Sequence, residues 1–277
     1  MKRSVHGPVL TPAGMDPEPR DIQPTQRFSN RADFYAQARP DYPLALRDFF
    51  RAHLGLAPGH HVADIGSGTG ILSELFLANG NVVTGIEPNA SMRAKAEEML
   101  RAFPQFRSVA ATAEATTLAE ASVDFAVAGQ AFHWFDSAKT RVEFRRIIAP
   151  GGWVVLVWNE RCPGGIGFDA AYDELIRHFS ADQSNVDRHR AITDSADETL
   201  GPFFGPGGFR SVRFDHHQEL DLARLKARVA SSSYMPLPDH PAFPALCEQL
   251  DAAFRANSNG GRVRLAYHTR AYYGRMS

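Results

Sequence analysis

The stretch His61-Val62-Ala63-Asp64-Ile65-Gly66-Ser67-Gly68-Thr69-Gly70, followed by Ile71-Leu72-Ser73-Glu74-Leu75-Phe76-Leu77, decides how the chain is read. A short apolar run ends in glycines at alternate positions and passes at once into a helical pattern. That is the pattern of a buried parallel strand, a tight turn and a helix whose N-terminus faces the turn. Glycine lets such a turn adopt positive φ and lets a ligand approach the backbone closely. The spacing is G-x-G-x-G. A dinucleotide fingerprint would place its last glycine where Ile71 stands, and a phosphate-binding Walker loop would need a Gly-Lys-Ser/Thr that is absent. Asp64 puts an acid at the carboxyl end of the strand, poor for cradling pyrophosphate but suited to a ligand with an ammonium group.

Working outward, Val82-Val83-Thr84-Gly85-Ile86 reads as the second strand of a right-handed βαβ unit, closing on Glu87-Pro88-Asn89. A carboxylate about twenty residues past a glycine turn, at the end of the neighbouring strand, can accept hydrogen bonds from both hydroxyls of a ribose. Glu87 could equally accept bonds from the N-terminus of the next helix. Asn89 caps that helix, which should bury Met92, Ala96, Met99 and Leu100. Arg107 to Ala111 reads as the third strand and Ser122 to Gly129 as the fourth, running into Gln130-Ala131-Phe132-His133-Trp134-Phe135-Asp136. Ligands of open α/β sheets bind at the carboxyl ends of strands, so Gly129, Gln130, His133 and Trp134 belong near the site. A helix over Ser137 to Ile148 presents Arg141, Arg145 and Arg146 to solvent. Ala149 to Gly152 turns into a buried fifth strand, Trp153 to Trp158.

The glycine turn with its preceding acid, the Glu87 position and the Pro150-Gly151-Gly152 turn resemble class I methyltransferases that use S-adenosylmethionine (SAM), of the type 11 domain. Phe34-Tyr35, Arg39-Pro40 and Tyr42-Pro43 further resemble the N-terminal segment of the subgroup that includes trans-aconitate methyltransferase. The resemblance implies a Rossmann-like α/β fold with a seven-stranded, mostly parallel sheet. Its antiparallel last strand, here Arg262 to Tyr273, lies between the fifth and sixth, and a helical lid covers the acceptor. It further implies SAM as cofactor, held by Asp64, Gly66, Ser67, Gly68, Thr69, Gly70, Glu87, Pro88, Asn89, Met92, Gly129 and Gln130. Ala113-Glu114 would lie beside the adenine, and Tyr35 and Arg39 would fold over the cofactor. Three of these have a structural alternative, a solvated loop for Glu114 and a helix that only caps the sheet for Tyr35 and Arg39.

Methyl transfer to a small molecule, on a carboxylate or hydroxyl, by in-line displacement is the activity so implied. Gln130, His133 and Trp134 would meet the acceptor. His133 has an ordinary pKa near ~6.5 and could serve as base, or could only hydrogen-bond backbone. A nicotinamide-dependent oxidoreductase on the same sheet and a SAM-binding protein without catalysis are the other readings.

The chain has 277 residues, 44% hydrophobic and 22% charged, with a formal net charge of −1. This suits one core with appended lid segments and argues against a general electrostatic grip on nucleic acid or anionic membrane. No apolar run approaches the ~18 residues of a membrane span, and a cytoplasmic protein is expected. Cys162 and Cys247 have no metal or redox spacing, and the adjacent pairs His60-His61 and His216-His217 point to opposite faces of strands, so no metal is expected. Residues 1–27 are Pro-rich and polar and should form a disordered arm. Residues 28–277 should form a single domain, with lid insertions near 162–205 and 221–257. Within the first insertion Phe168 to Phe179 reads as an amphipathic helix, and Ser180 to about Gly208 as a polar, Gly/Pro-rich stretch outside the core. Phe209 to Leu220 reads as the sixth strand, with helices over Asp221–Ala230 and His240–Phe254.

Overall fold

A computed structural model describes residues 32–162, 165–180, 195–232 and 234–276. The proposed N-terminal arm lies outside the described residues, as does most of the stretch between 180 and 195. Seven strands form one sheet: β1 (His61–Ile65), β2 (Val82–Ile86), β3 (Phe106–Val109), β4 (Val123–Gly129), β5 (Ile148–Arg161), β6 (Arg210–Leu220) and β7 (Val263–Gly274). Their order is β3-β2-β1-β4-β5-β7-β6. The first five pair in parallel, and β7 runs antiparallel between β5 and β6. The expected fold class is therefore the observed one. Strand order reverses between β1 and β4, which opens a crevice at their carboxyl ends, where such sheets take ligands.

Alternation along the strands fills both faces. Ala63, Ile65, Val154, Leu156 and Trp158 join one core with Phe144, Phe203 and Phe204. Val62, Val155 and Val157 join the other with Leu46, Phe50 and Phe76. Residues one apart in a strand point to opposite faces, so the near-continuous apolar runs of β4 and β5 are what a sheet covered on both sides demands. The covering helices are α1 (Ala32–Ala38), α2 (Leu44–His53), α3 (Ile71–Leu77), α4 (Ala90–Met99) and α5 (Ser137–Ile147). α6 (Phe168–Phe179), α7 (Ala196–Phe204), α8 (Leu222–Ala230) and α9 (Phe243–Asn257) follow. α6, α8 and α9 build a third core with Leu220, Leu265 and Tyr267 from β6 and β7.

Several local expectations change. Of the four residues expected to be buried along α4, Met92, Ala96 and Leu100 are buried, but Met99 is 41% exposed. Residues 92, 96 and 100 share one helix face, and Leu100 fits into the room left by Gly70, whose added Cβ would lie 2.5 Å from Leu100 Cδ1. The strand expected from Trp153 begins at Ile148 and carries Pro150-Gly151-Gly152 through a register shift opposite β4. Arg141 is not simply solvated: its Nε donates to the Phe203 carbonyl at 2.9 Å. The largest correction is α7, in a stretch expected to stay outside the core. Leu200, Phe203 and Phe204 are buried there despite Gly201-Pro202 in mid-helix. Phe203 meets the rings of Phe132 at 4.6 Å, Phe204 at 5.4 Å and Phe144 at 5.7 Å. Burial of three large side chains offsets a proline penalty of about 3 kcal/mol.

Phe203→Ala should therefore lower unfolding free energy by about 3–5 kcal/mol, the range for an emptied aromatic core site. Denaturant melts measure it; a change under about 1 kcal/mol would restore the reading of this stretch as peripheral.

Candidate ligand-binding cleft

The loop after β1 crosses the crevice with Gly66, Gly68 and Gly70 all at positive φ. At Gly68, with φ 56°, a Cβ would meet nothing within 4 Å and would project into open space. A side chain there is opposed by backbone conformation and would occupy the approach to the loop. The next strand answers from the other side. Glu87 Oε2 accepts from the Gly68 N–H at 3.0 Å, and Oε1 accepts from the Asn89 N–H at 2.9 Å. Asn89 in turn caps α4, its side chain accepting from the Met92 N–H at 3.0 Å. Glu87 thus ties the glycine turn to the next helix, so its cap-like role and a ligand role use different lone pairs of one carboxylate. Burial raises its pKa above the ordinary value, partly offset by the Asn89 and Gly68 N–H donors.

Asp64 stands behind the turn, 1% exposed. Its Oδ2 accepts from Ser73 Oγ at 2.6 Å, while Oδ1 has no hydrogen-bond partner. Burial pushes its pKa up to about 7; the Ser73 hydrogen bond opposes the shift, and the charge of Glu87 adds to it. A carboxyl group held half-neutral beside an open glycine loop is a poor structural element. It becomes a good one if a cation comes to it.

Eleven of the residues singled out from sequence line one cleft: Tyr35, Gly66, Gly68, Glu87, Pro88, Met92, Ala113, Glu114, Gly129, Gln130 and Trp134. Asp64, Ser67, Thr69, Gly70, Asn89, Arg39 and His133 do not line it, although Asp64 lies near the end of β1 and the next four belong to the loops that shape it. Phe135 also lines the cleft, as do Thr112 and Ala131, which were not singled out. The signal for them was positional, since each adjoins a quoted motif at a strand's carboxyl end. Gln130 sits at φ 57°, a left-handed conformation uncommon for a residue with a side chain. Its N–H donates to the Val157 carbonyl at 2.9 Å and its Nε2 to the Asn159 carbonyl at 3.1 Å. These bonds fix a strained residue at the cleft wall. Glu114 Oε1 accepts from the Asp136 N–H at 2.9 Å, which joins the loop after β3 to the start of α5. Nearby, Glu143 accepts from Thr116 N at 2.8 Å and Thr116 Oγ1 at 2.5 Å, and pairs with Arg146. The His133 ring lies 4.8 Å from that of Trp134, on which it leans at 45°. Among the described residues, no group of three or more His, Cys, Asp and Glu side chains could hold a metal ion. No described helix is long and apolar enough to cross a membrane.

Comparison with known proteins points one way. Residues 63–156 match the family model of a methyltransferase domain. An uncharacterised methyltransferase of Mycobacterium tuberculosis is 35% identical over 135 residues, 48% of this chain and 52% of that one. The chain thus spans about half the length of this relative. A candidate type II methyltransferase of Anaeromyxobacter dehalogenans superposes with a TM-score of 0.62 at 24% identity, covering 86% of this chain and 98% of that one. Phosphoethanolamine N-methyltransferase 2 of Haemonchus contortus gives a TM-score of 0.50 at 13% identity, covering 93% of this chain and 61% of that one. That structure contains phosphomonomethylethanolamine and S-adenosylhomocysteine.

The state of Asp64 has a thermodynamic consequence. Its folded pKa of about 7 lies above the ordinary 3.8 of an aspartate in the unfolded chain. The fold therefore holds this proton more tightly than the unfolded chain, and stability falls as pH rises through that window. Asp64→Asn stays neutral, so its melting temperature relative to wild type should climb between pH 4 and pH 8. A difference that stays flat across that range would show Asp64 to be an ordinary carboxylate.

Proposed function

We propose that the chain is a SAM-dependent methyltransferase acting on a small-molecule acceptor, and that the cleft at the β1/β4 switch point binds SAM. The observation that carries this is the hydrogen bond from Gly68 to Glu87, which brings a ribose-type carboxylate to the glycine turn across two loops. The donor set fits the whole molecule. Asp64 Oδ1, buried and without a partner, suits an ammonium. Glu87 retains lone pairs for two hydroxyls, and Met92, Ala113 and Phe135 give apolar walls beside Glu114 for an adenine. Likeness to the methyltransferase domain and to a fold of which one member holds S-adenosylhomocysteine supports the same reading.

When bound, SAM supplies a methyl carbon already activated by its sulfonium. The chain's own residues then have to hold an acceptor in line with it, exclude water and, for a neutral acceptor, take a proton. Gln130 and Trp134 stand where an acceptor would lie, and the bonds of Gln130 to β5 hold that wall in place. His133 leans on Trp134 and does not itself line the cleft, so the geometry favours a residue that positions Trp134 over a general base. An ionised carboxylate acceptor, as the likeness to trans-aconitate methyltransferase suggests, would need no base. In this reading α6, α8 and α9 belong to the lid over the acceptor, joined to α1 where Arg39 Nη2 donates to the Ser231 carbonyl at 2.9 Å.

Calorimetry tests this directly. Wild type should bind SAM and not NAD. Glu87→Gln should weaken SAM binding by about 1.5–3 kcal/mol, since hydrogen bonds to a charged acceptor are lost. His133→Ala should leave SAM affinity unchanged and lower kcat by less than the ~100-fold that marks a general base. Tight NAD binding with none for SAM would overturn the assignment. A kcat loss of ~10²–10⁴-fold would make His133 the base.

A further inference from the structure

Beside Tyr35 the structure buries positive charge that no acid matches among the described residues. Arg228 of α8 is 4% exposed. Its Nε donates to the Tyr267 hydroxyl at 3.3 Å and its Nη1 to Ser232 Oγ at 3.0 Å, both neutral acceptors. Its Nη2 meets no acceptor among the described residues, and no described carboxylate pairs with it. Arg39 comes to the same place from the end of α1. Its guanidinium lies 4.7 Å from the centre of the Tyr35 ring, and its buried Nε has no hydrogen-bond partner. Burial, and then the charge of Arg228, hold the Arg39 pKa below its ordinary value, whereas at Arg228 burial is outweighed by the facing Tyr267, Tyr172 and Tyr234, which hold it above. A third arginine nearby, Arg161, has the acid that these two lack: it lies over the Tyr172 ring and pairs with Asp173, although its own Nε is unpartnered.

Two neighbouring guanidiniums with open donors and no acid are costly in a folded protein. Buried cations are ordinarily paired, and an arginine fork matches the two oxygens of a carboxylate or a phosphate. The surroundings are shaped for such a group. Tyr267, 2% exposed, holds the Arg228 fork through its hydroxyl, and Tyr172, 1% exposed, is a further buried phenol near that guanidinium. Tyr35 joins this region to the cleft, since its ring is both a cleft wall and the surface on which Arg39 lies.

We propose that Arg39 and Arg228 form an oxyanion subsite that anchors a carboxylate or phosphate group of the ligand entering beside Tyr35. Calling that ligand the methyl acceptor rests on the methyltransferase reading; the subsite itself rests on the two arginines. Arg39 also bonds the Ser231 carbonyl, so the subsite lies where the end of α1 meets the end of α8.

The test uses the full chain without SAM. Thermal melts are recorded in rising succinate or inorganic phosphate, against chloride at matched ionic strength. Wild type should show a saturable rise in melting temperature with at least one of the two anions. A response to succinate alone identifies a carboxylate, and to phosphate alone a phosphoryl group. In Arg228→Met, which replaces the buried charge with apolar volume, the apparent affinity should fall at least ~10-fold. Arg228→Lys, which keeps the charge and loses the fork, should fall in between. If Arg228→Met does not fold, Arg228→Lys carries the comparison. No saturable response beyond chloride, or variants that respond as wild type does, would overturn the proposal. SAM calorimetry on the same samples keeps the two questions apart: an anion response without SAM binding would sink the methyltransferase reading and leave the subsite standing.

Discussion

Glu87 accepts from Gly68 with one oxygen and from Asn89 with the other, and the site is built on that pair of hydrogen bonds. Neither loop has a hydrophobic core of its own. The carboxylate sets the glycine turn after β1 against the first turn of α4, and α4 then seats Leu100 in the space that Gly70 leaves. Since β1 and β2 are locked in register by parallel pairing from His61↔Val82 to Ile65↔Ile86, the two loops leave the sheet at the same level. Sheet register thus becomes cleft geometry. The opposite wall follows the same logic, with Gln130 leaving β4 in a strained conformation that two bonds to β5 hold.

Around this frame the chain carries polar groups that the fold does not satisfy by itself. Asp64 is buried with one oxygen unpaired. Arg39 and Arg228 are neighbouring cations with open donors. Each lowers the stability of the free protein, and each has the sign that complements one end of a zwitterionic or anionic ligand. The acid stands at the glycine turn, and the basic pair lies where the end of α1 meets α8.

What the sequence made legible was local. The glycine turn, the acid before it, Glu87 and the Asn89 cap are all set by residues within one βαβ unit, where pattern and geometry coincide. Strand order followed from resemblance, not from periodicity. What escaped depended on distant partners. α7 was hidden because Gly201-Pro202 reads as a breaker, and only the rings of Phe132, Phe144 and Phe209 make its burial worthwhile. Glu143 was unreadable because Thr116 lies 27 positions away on another loop. Arg228 drew no reading of its own within the helix expected over Asp221–Ala230, since its buried partners stand on other elements, Tyr172 on α6 and Tyr267 on β7. The left-handed backbone of Gln130 leaves no trace in a sequence that has no glycine there.

The most direct measurement of the central claim is proton release on SAM binding near pH 7, from calorimetry in two buffers of different ionisation enthalpy. Free Asp64 titrates at about 7. An ammonium brought to its unpaired oxygen must lower that value and expel protons. Wild type should therefore release about half a proton more per site than Asp64→Asn under the same conditions. Equal proton counts for the two proteins, with SAM bound in both, would contradict the account by showing that the acid at the glycine turn does not meet the cofactor's ammonium.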